Sequence, residues 1–275
     1  MIFLGQNFRF GFYDVPLRER IRGIRRAGFD SVMFWWGDEF EATDGSRYDL
    51  IRYAFDEGLS VNTNHFPSTH ADFLWRPERQ ERYLRQLVTA IEDCSRYGVE
   101  NLVVHTTRAL ITPPYNESGL DCFARALQAA EREGVNLALE NTRFPAYNDY
   151  MYRNLSSPRL RLCYDTGHEN TYTPGTDILA RFGDRLATTH IHDNDGSSDE
   201  HHIIGEGNID FPPIFGHLAE RNVKYYNLES YCNETSMYYG RISMDGFLRE
   251  AHERLLNLVN ESGAALRSKN VTCSV

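Results

Sequence analysis

Two kinds of segment alternate along the chain. Amphipathic stretches with helical spacing give way to a glycine, one or two further residues, and a short apolar run. The phrase occurs four times, as RRAGFDSVMF, DEGLSVNTN, RYGVENLVV and REGVNLALE. Each glycine can take the left-handed conformation that ends a helix, so each apolar run reads as a strand. Strands are expected at 2–7, 31–36, 60–65, 101–105, 136–140, 159–165, 186–192 and 223–229. Helices are expected near 16–27, 48–57, 77–97, 120–133, 177–182, 212–221 and 244–259, with Pro16 suited to a first helical turn. No linker or composition shift interrupts the alternation. The pattern therefore predicts an α/β chain folded as one (β/α)8 TIM barrel over 1–275, with a polar tail from about 261. Near-continuous apolar strands fit a parallel sheet covered by helices. In such barrels the active site lies at the C-terminal ends of the strands.

Those strand ends carry the candidate chemistry. His65, His105, Glu140, Asp165, His190 and Glu229 lie at six of them, and His168, Asp199 and His201 follow in the adjoining loops. All nine are metal-ligand types. Asp165 and His168 stand three apart in DTGH, which alone fits equally a helix-capping Asp beside a surface His. His190 and His192 are two apart on a strand, so both rings can point the same way. One can bind metal while the other supports it or meets substrate. DEHHIIGEGNI follows a potential ligand pair with glycines that allow a tight loop. Glu140 and Glu229 close apolar strands, where an unpaired carboxylate is costly. No Arg or Lys ends another strand, which makes a metal the expected counter-charge.

Composition narrows the classes. Hydrophobic residues are 41% and charged residues 25% of 275, ordinary for a globular protein. The net charge of −10 disfavours a broad nucleic-acid surface. No run approaches the ~18 apolar residues of a membrane span, and MIFLGQNFRFGF lacks the order of a signal peptide. The five cysteines are odd in number and form no CxxC pair, so a reduced, cytoplasmic setting is expected. Tyr238 and Tyr239 are candidate contacts for a homo-oligomer.

The motifs LALENT, CYDTGH, THIHDND, DEHHIIGEGNI and NLES resemble those of the xylose-isomerase-like TIM barrels, over nearly the whole chain. The resemblance implies one of two chemistries. In the sugar isomerase and epimerase branch, one divalent metal would be held by Glu140, Asp165, His190 and Glu229. The two glutamates would act as acid and base, and His168 would contact substrate. In the endonuclease IV branch, a three-zinc cluster would use all nine residues to cleave a phosphodiester in abasic DNA or a small molecule.

The isomerase or epimerase reading is preferred, working through a metal-stabilised enediolate on a sugar, sugar phosphate or inosose. The acidic total and the acidic segment WWGDEFEATDG decide it against nucleic acid. One ion of Mn2+, Zn2+, Co2+ or Mg2+ is expected, with room for up to three. His192, Trp35, Phe66 and Trp75 are expected to meet substrate, and Phe73, Leu74 and Trp75 to form a lid. Two departures stand out. Gly196 occupies the place where some epimerases carry a substrate-holding Arg, and the endonuclease's phosphate-gripping loops have no clear counterpart.

Overall fold

The computed structural model describes residues 1–38 and 45–264. Eight parallel strands close into a barrel in sequence order: β1 (Phe3–Asn7), β2 (Ser31–Trp35), β3 (Thr63–His65), β4 (Asn101–Val104), β5 (Asn136–Glu140), β6 (Leu160–Asp165), β7 (Leu186–Ile191) and β8 (Tyr225–Leu228), with β8 pairing β1. The expected fold and all eight strands are present.

The covering helices are α1 (Leu17–Ala27), α2 (Arg47–Asp56), α3 (Pro77–Tyr97), α4 (Glu117–Glu133), α5 (Pro145–Asn154), α6 (Thr166–Tyr172), α7 (Ile178–Phe182), α8 (Phe211–Glu220) and α9 (Met244–Glu261). Their ends follow the sequence signals. Gly28, Gly98 and Gly134 cap α1, α3 and α4 at φ of 106°, 70° and 74°. Ser46 and Asp49 form a reciprocal capping box at the start of α2. The apolar stripe of α3 buries Tyr83, Leu84, Leu87 and Ile91.

Among the described residues, four elements were not expected: α5, α6 and 3₁₀ helices over Ser68–Trp75 and Gly183–Arg185. The sequence of α5, PAYNDYMYRN, lacks a clean helical stripe. Burial of Tyr147, Met151 and Tyr152 holds it in place. The polar tail runs as α9 to Glu261, and its residues 265–275 lie outside the described residues, as do 39–44 of the acidic segment. No helix among the described residues is long and apolar enough to cross a membrane.

Strand alternation sorts side chains into a helix-facing set and an interior set. On β5 the interior set is Asn136, Ala138 and Glu140, and on β4 it is Asn101 and Val103, continuing to His105. The pairings Asp165↔His190 and His190↔Asn227 bring the last interior residues of neighbouring strands to similar heights. Register thus gathers the candidate ligands at the C-terminal mouth.

Candidate metal centre

Four groups of donors form there, one of which, Glu140, Cys163 and His190, shares two members with the first described below. Glu140, Asp165, His190 and Glu229 make the first; His65, His105 and Glu140 the second; His168, Asp199 and His201, with His192 beneath, the third. All nine expected residues are brought together.

In the first group, His190 Nδ1 stands 3.2 Å from Glu140 Oε1, 2.9 Å from Glu229 Oε2 and 3.9 Å from Asp165 Oδ2. In the second, His65 Nε2 and His105 Nε2 lie 3.2 and 2.9 Å from Glu140 Oε2. In the third, His168 Nε2 and His201 Nε2 lie 3.2 and 3.4 Å from Asp199 Oδ2. Two ligands of one small ion, each about 2.1 Å from it at tetrahedral angles, stand about 3.4 Å apart. The observed spacings match.

The tautomers fit as well. His65 Nδ1 meets the carbonyl oxygen of Phe66 at 2.7 Å, His168 Nδ1 that of Asn141 at 3.0 Å, and His201 Nδ1 that of Glu229 at 2.8 Å. A carbonyl only accepts, so each Nδ1 carries a proton, and Nε2 is the inward nitrogen that can bind a cation once it is free of its own proton. Buried acceptors are left over: Glu140 Oε1, Asp165 Oδ2 and Asp199 Oδ1 have no hydrogen-bond partner, and neither has either nitrogen of His190. Buried charges in such a state need a counter-ion. The residues present therefore fit a metal.

Electrostatics agree. Burial pushes the Glu140 carboxyl up, but His190, His105 and His168 outweigh it and hold it well below the ordinary value. Burial likewise opposes ionisation of Asp199, and His168 and His201 override it, depressing its pKa. Burial lowers His201, yet Asp199 raises it overall to about 9. The mouth is a basin of anions that attracts protons where no cation is present.

Local structure explains how each ligand is aimed. Asp165 is the N-cap of α6: its Oδ1 accepts from the His168 amide at 2.6 Å, which leaves Oδ2 for the centre. The capping reading of DTGH is thus correct for Asp165, but His168 is buried rather than on the surface. His201 has φ of 54°, a strained value for a non-glycine residue and one common at functional sites. Asp193 was missed by sequence reasoning. It is buried, and its carboxylate accepts from the amides of Gly205, Gly207 and Ile209, tying the GEGNI loop to β7. Its place directly after HIH was the available signal.

His192, two aromatics and Leu74 depart from expectation. His192 is fully buried and reaches no mouth. Its ring stacks on His201, centroids 3.9 Å apart and 17° from parallel. An imidazole binds metal along a lone pair in its own plane, and two such stacked planes have no common point. His192 is therefore not a fourth ligand beside His201. Its Nε2 lies 3.1 Å from Asp165 Oδ1 without hydrogen-bond geometry, and both its ring nitrogens are buried without a hydrogen-bond partner. Gly167 makes room, since a Cβ there would come within 1.9 Å of the His192 ring. Trp75 is buried, its Nε1 donating to the Thr106 carbonyl, and Leu74 is buried beside it, so neither forms a lid. Phe66 lines a separate cavity of about 530 Å³ with Trp36 and Pro67, which contains none of the nine ligands. Trp35 does stack on His65, at 4.8 Å.

The matching family model is described as xylose isomerase-like TIM barrel and spans residues 21–252, a stretch that holds all nine ligands. The chain belongs to the xylose isomerase-like TIM barrel family. Within reach of this family stands a fructoselysine 3-epimerase of Shigella flexneri, 23% identical over 92% of this chain and 97% of the relative. A solved D-tagatose 3-epimerase-like protein superposes with a TM-score of 0.74 at 20% identity, over 96% of this chain and all of the other. An AP endonuclease, family 2, from Brucella melitensis superposes with a TM-score of 0.70 at 16% identity, over 92% and 99%. These structural likenesses establish the shared barrel.

Proposed function

We propose that this xylose isomerase-like barrel is a divalent-metal-dependent isomerase or epimerase of a sugar or sugar derivative. The observation that carries the proposal is the first donor group, in which two buried glutamates, an aspartate and an imidazole converge at the end of the barrel. The relatedness to an epimerase over nearly the full length of both chains supports it.

When bound there, the cation supplies Lewis-acid polarisation of a substrate carbonyl. The protein's own groups would move the proton. Glu229 turns Oε2 toward His190, while Oε1 faces Asn7 Nδ2 at 3.3 Å and the Tyr231 hydroxyl at 3.5 Å. Glu140 has both oxygens among imidazoles. In this reading Glu229 Oε1 accepts the proton from the carbon beside the carbonyl, and Glu140, entering the cycle protonated, would give its own proton to the opposite face, the pair being reset by exchange with solvent. His190 fixes both carboxylates, and Trp35 on His65 offers an apolar wall. Burial of the carboxylates keeps water from them.

A second reading has its own support. The donors beyond the first group, around His65 and His105 and around His168, Asp199 and His201, exceed what a single ion requires. Such a histidine-rich set suits zinc and a multi-ion phosphodiester hydrolase. Elemental analysis of protein purified without chelator separates the two when paired with an activity screen. About one exchangeable ion, with exchange of substrate carbon-bound hydrogen in D2O, supports the isomerase. Two or three zinc ions, with cleavage of an abasic duplex or a small phosphodiester and no carbon exchange, replaces it.

A further inference from the structure

Above the donors lies a cavity of about 270 Å³ lined by His105, His168 and Asp199 together with Arg108, Thr142 and Arg143. The two arginines come from different loops, those following β4 and β5. Both are exposed at the mouth, and among the described residues neither guanidinium is ion-paired to a carboxylate. Asp72, the carboxylate beside Arg108, accepts instead from the backbone amides of Arg108 and Ala109, at 3.1 Å each, and so pins the loop. The Arg143 guanidinium carbon sits over the Tyr172 ring, 4.2 Å from its centroid, a contact that holds the group without neutralising it. Thr142 Oγ1 lines the same cavity, is buried and has no hydrogen-bond partner. In a chain with 39 acidic against 29 basic side chains, carboxylate partners are plentiful. Two cations left without them beside a candidate catalytic centre point to a ligand that supplies the negative charge.

We propose that the substrate carries an anionic group, a carboxylate or a phosphate, bound at the mouth by Arg108, Arg143 and the Thr142 hydroxyl. The inference rests on the isomerase reading and names its substrate class. Binding energy from this remote group would hold the reacting carbon over Glu229. The sequence hid it, because the arginines lie four and three residues beyond the ends of β4 and β5, in loops whose course the sequence does not give.

The test is calorimetric binding to Mn2+-loaded protein, comparing wild type, the double variant Arg108→Ala/Arg143→Ala and the double Lys variant. The probes are D-fructose, D-fructose 6-phosphate and D-fructuronate. A charged probe should bind wild type about tenfold or more tightly than fructose. That advantage should vanish in the Ala variant and return in part with Lys. Which charged probe shows it tells phosphate from carboxylate. An advantage that persists in the Ala variant places the anion on the metal and overturns the proposal, as does equal binding of all three probes to wild type. Should no ketose bind, the isomerase reading fails on its own. Inorganic phosphate and malonate then decide the subsite: arginine-dependent binding sustains it, and arginine-independent or absent binding overturns it.

Discussion

The barrel interior holds two polar layers two to four residues apart on the same strands, and they behave differently. In the lower layer, Thr63 Oγ1 and Thr188 Oγ1 share a hydrogen bond of 3.0 Å, Asn227 Nδ2 donates to Thr188 at 3.0 Å, and Asn136 donates to Asn101 at 2.9 Å. What it leaves over is neutral, such as Asn227 Oδ1 and Ser31 Oγ. Even its backbone is fitted to it: a Cβ at Gly5 would sit 2.2 Å from Asn227 Oδ1. Val103, Ala138 and Cys163 form a small apolar cluster above. The upper layer is built of carboxylates and imidazoles, and its orphans are charged or lone-pair atoms. Burial is equal, so burial alone does not mark function. The lower layer is closed largely by its own hydrogen bonds, whereas the upper one gathers donors that suit a cation.

The largest effect should come from removing charge in the upper layer. Glu140→Gln takes a shared anion from two donor groups and the proton-returning residue from the proposed reaction. Turnover should fall on the order of 10³-fold, with reduced metal content by elemental analysis. Retention of more than about a tenth of wild-type turnover would break the comparison at its centre.

His105→Ala comes next and sharpens the picture within the upper layer. It belongs to the second donor group and not the first. A one-ion isomerase should lose less than about fivefold in kcat, while a cluster should lose an ion and more than about tenfold. Metal stoichiometry and kcat measured on the same preparation give the answer.

The layers also explain what the sequence disclosed. Strand ends were legible because a polar residue closing VVH, LALE or LCYD breaks an apolar run, and helix ends because glycine punctuates them. Six of the nine candidate donors followed from that, and His168, Asp199 and His201 from their residue types in the loops beyond. The second coordination level was not legible. His192 looks like His190 in the sequence, and only the structure shows that it stacks on His201. Trp75 and Phe66 look like wall residues, but the 3₁₀ turn of Ser68–Trp75 folds Trp75 inward. Helix α5 lacks periodicity, yet its Asn148 donates to the Glu140 carbonyl at 2.7 Å and positions that strand end.

A smaller, graded effect should appear in pH dependence. His201 is raised to about 9, first against the lowering effect of burial, by Asp199. Its Nε2 must be unprotonated to bind a cation, while Asp199 is depressed and already ionised. Below pH 9, binding at the third group therefore displaces a proton. Apparent affinity should rise about tenfold per pH unit for each proton displaced and level off above 9. Cobalt titrations followed by visible absorbance between pH 6 and 9.5 measure this. A flat profile over that range would remove His201 from the metal centre.

The smallest effect on activity belongs to the lower layer. Thr188→Val keeps shape and deletes the hydroxyl that accepts from Asn227 and bonds Thr63. Asn227 Nδ2 retains Thr63 Oγ1 at 3.4 Å, so one donor is weakened rather than stranded. The cost should be about 1–2 kcal/mol of stability, read from denaturant unfolding, with kcat per folded molecule unchanged within about twofold. Thr188 lies two residues before His190 on β7 and points into the same barrel, so the substitution tests whether the layers are separable. A large loss of kcat with little loss of stability would show that the neutral layer sets the geometry of the charged one. The contrast between them would then be one of charge and not of role.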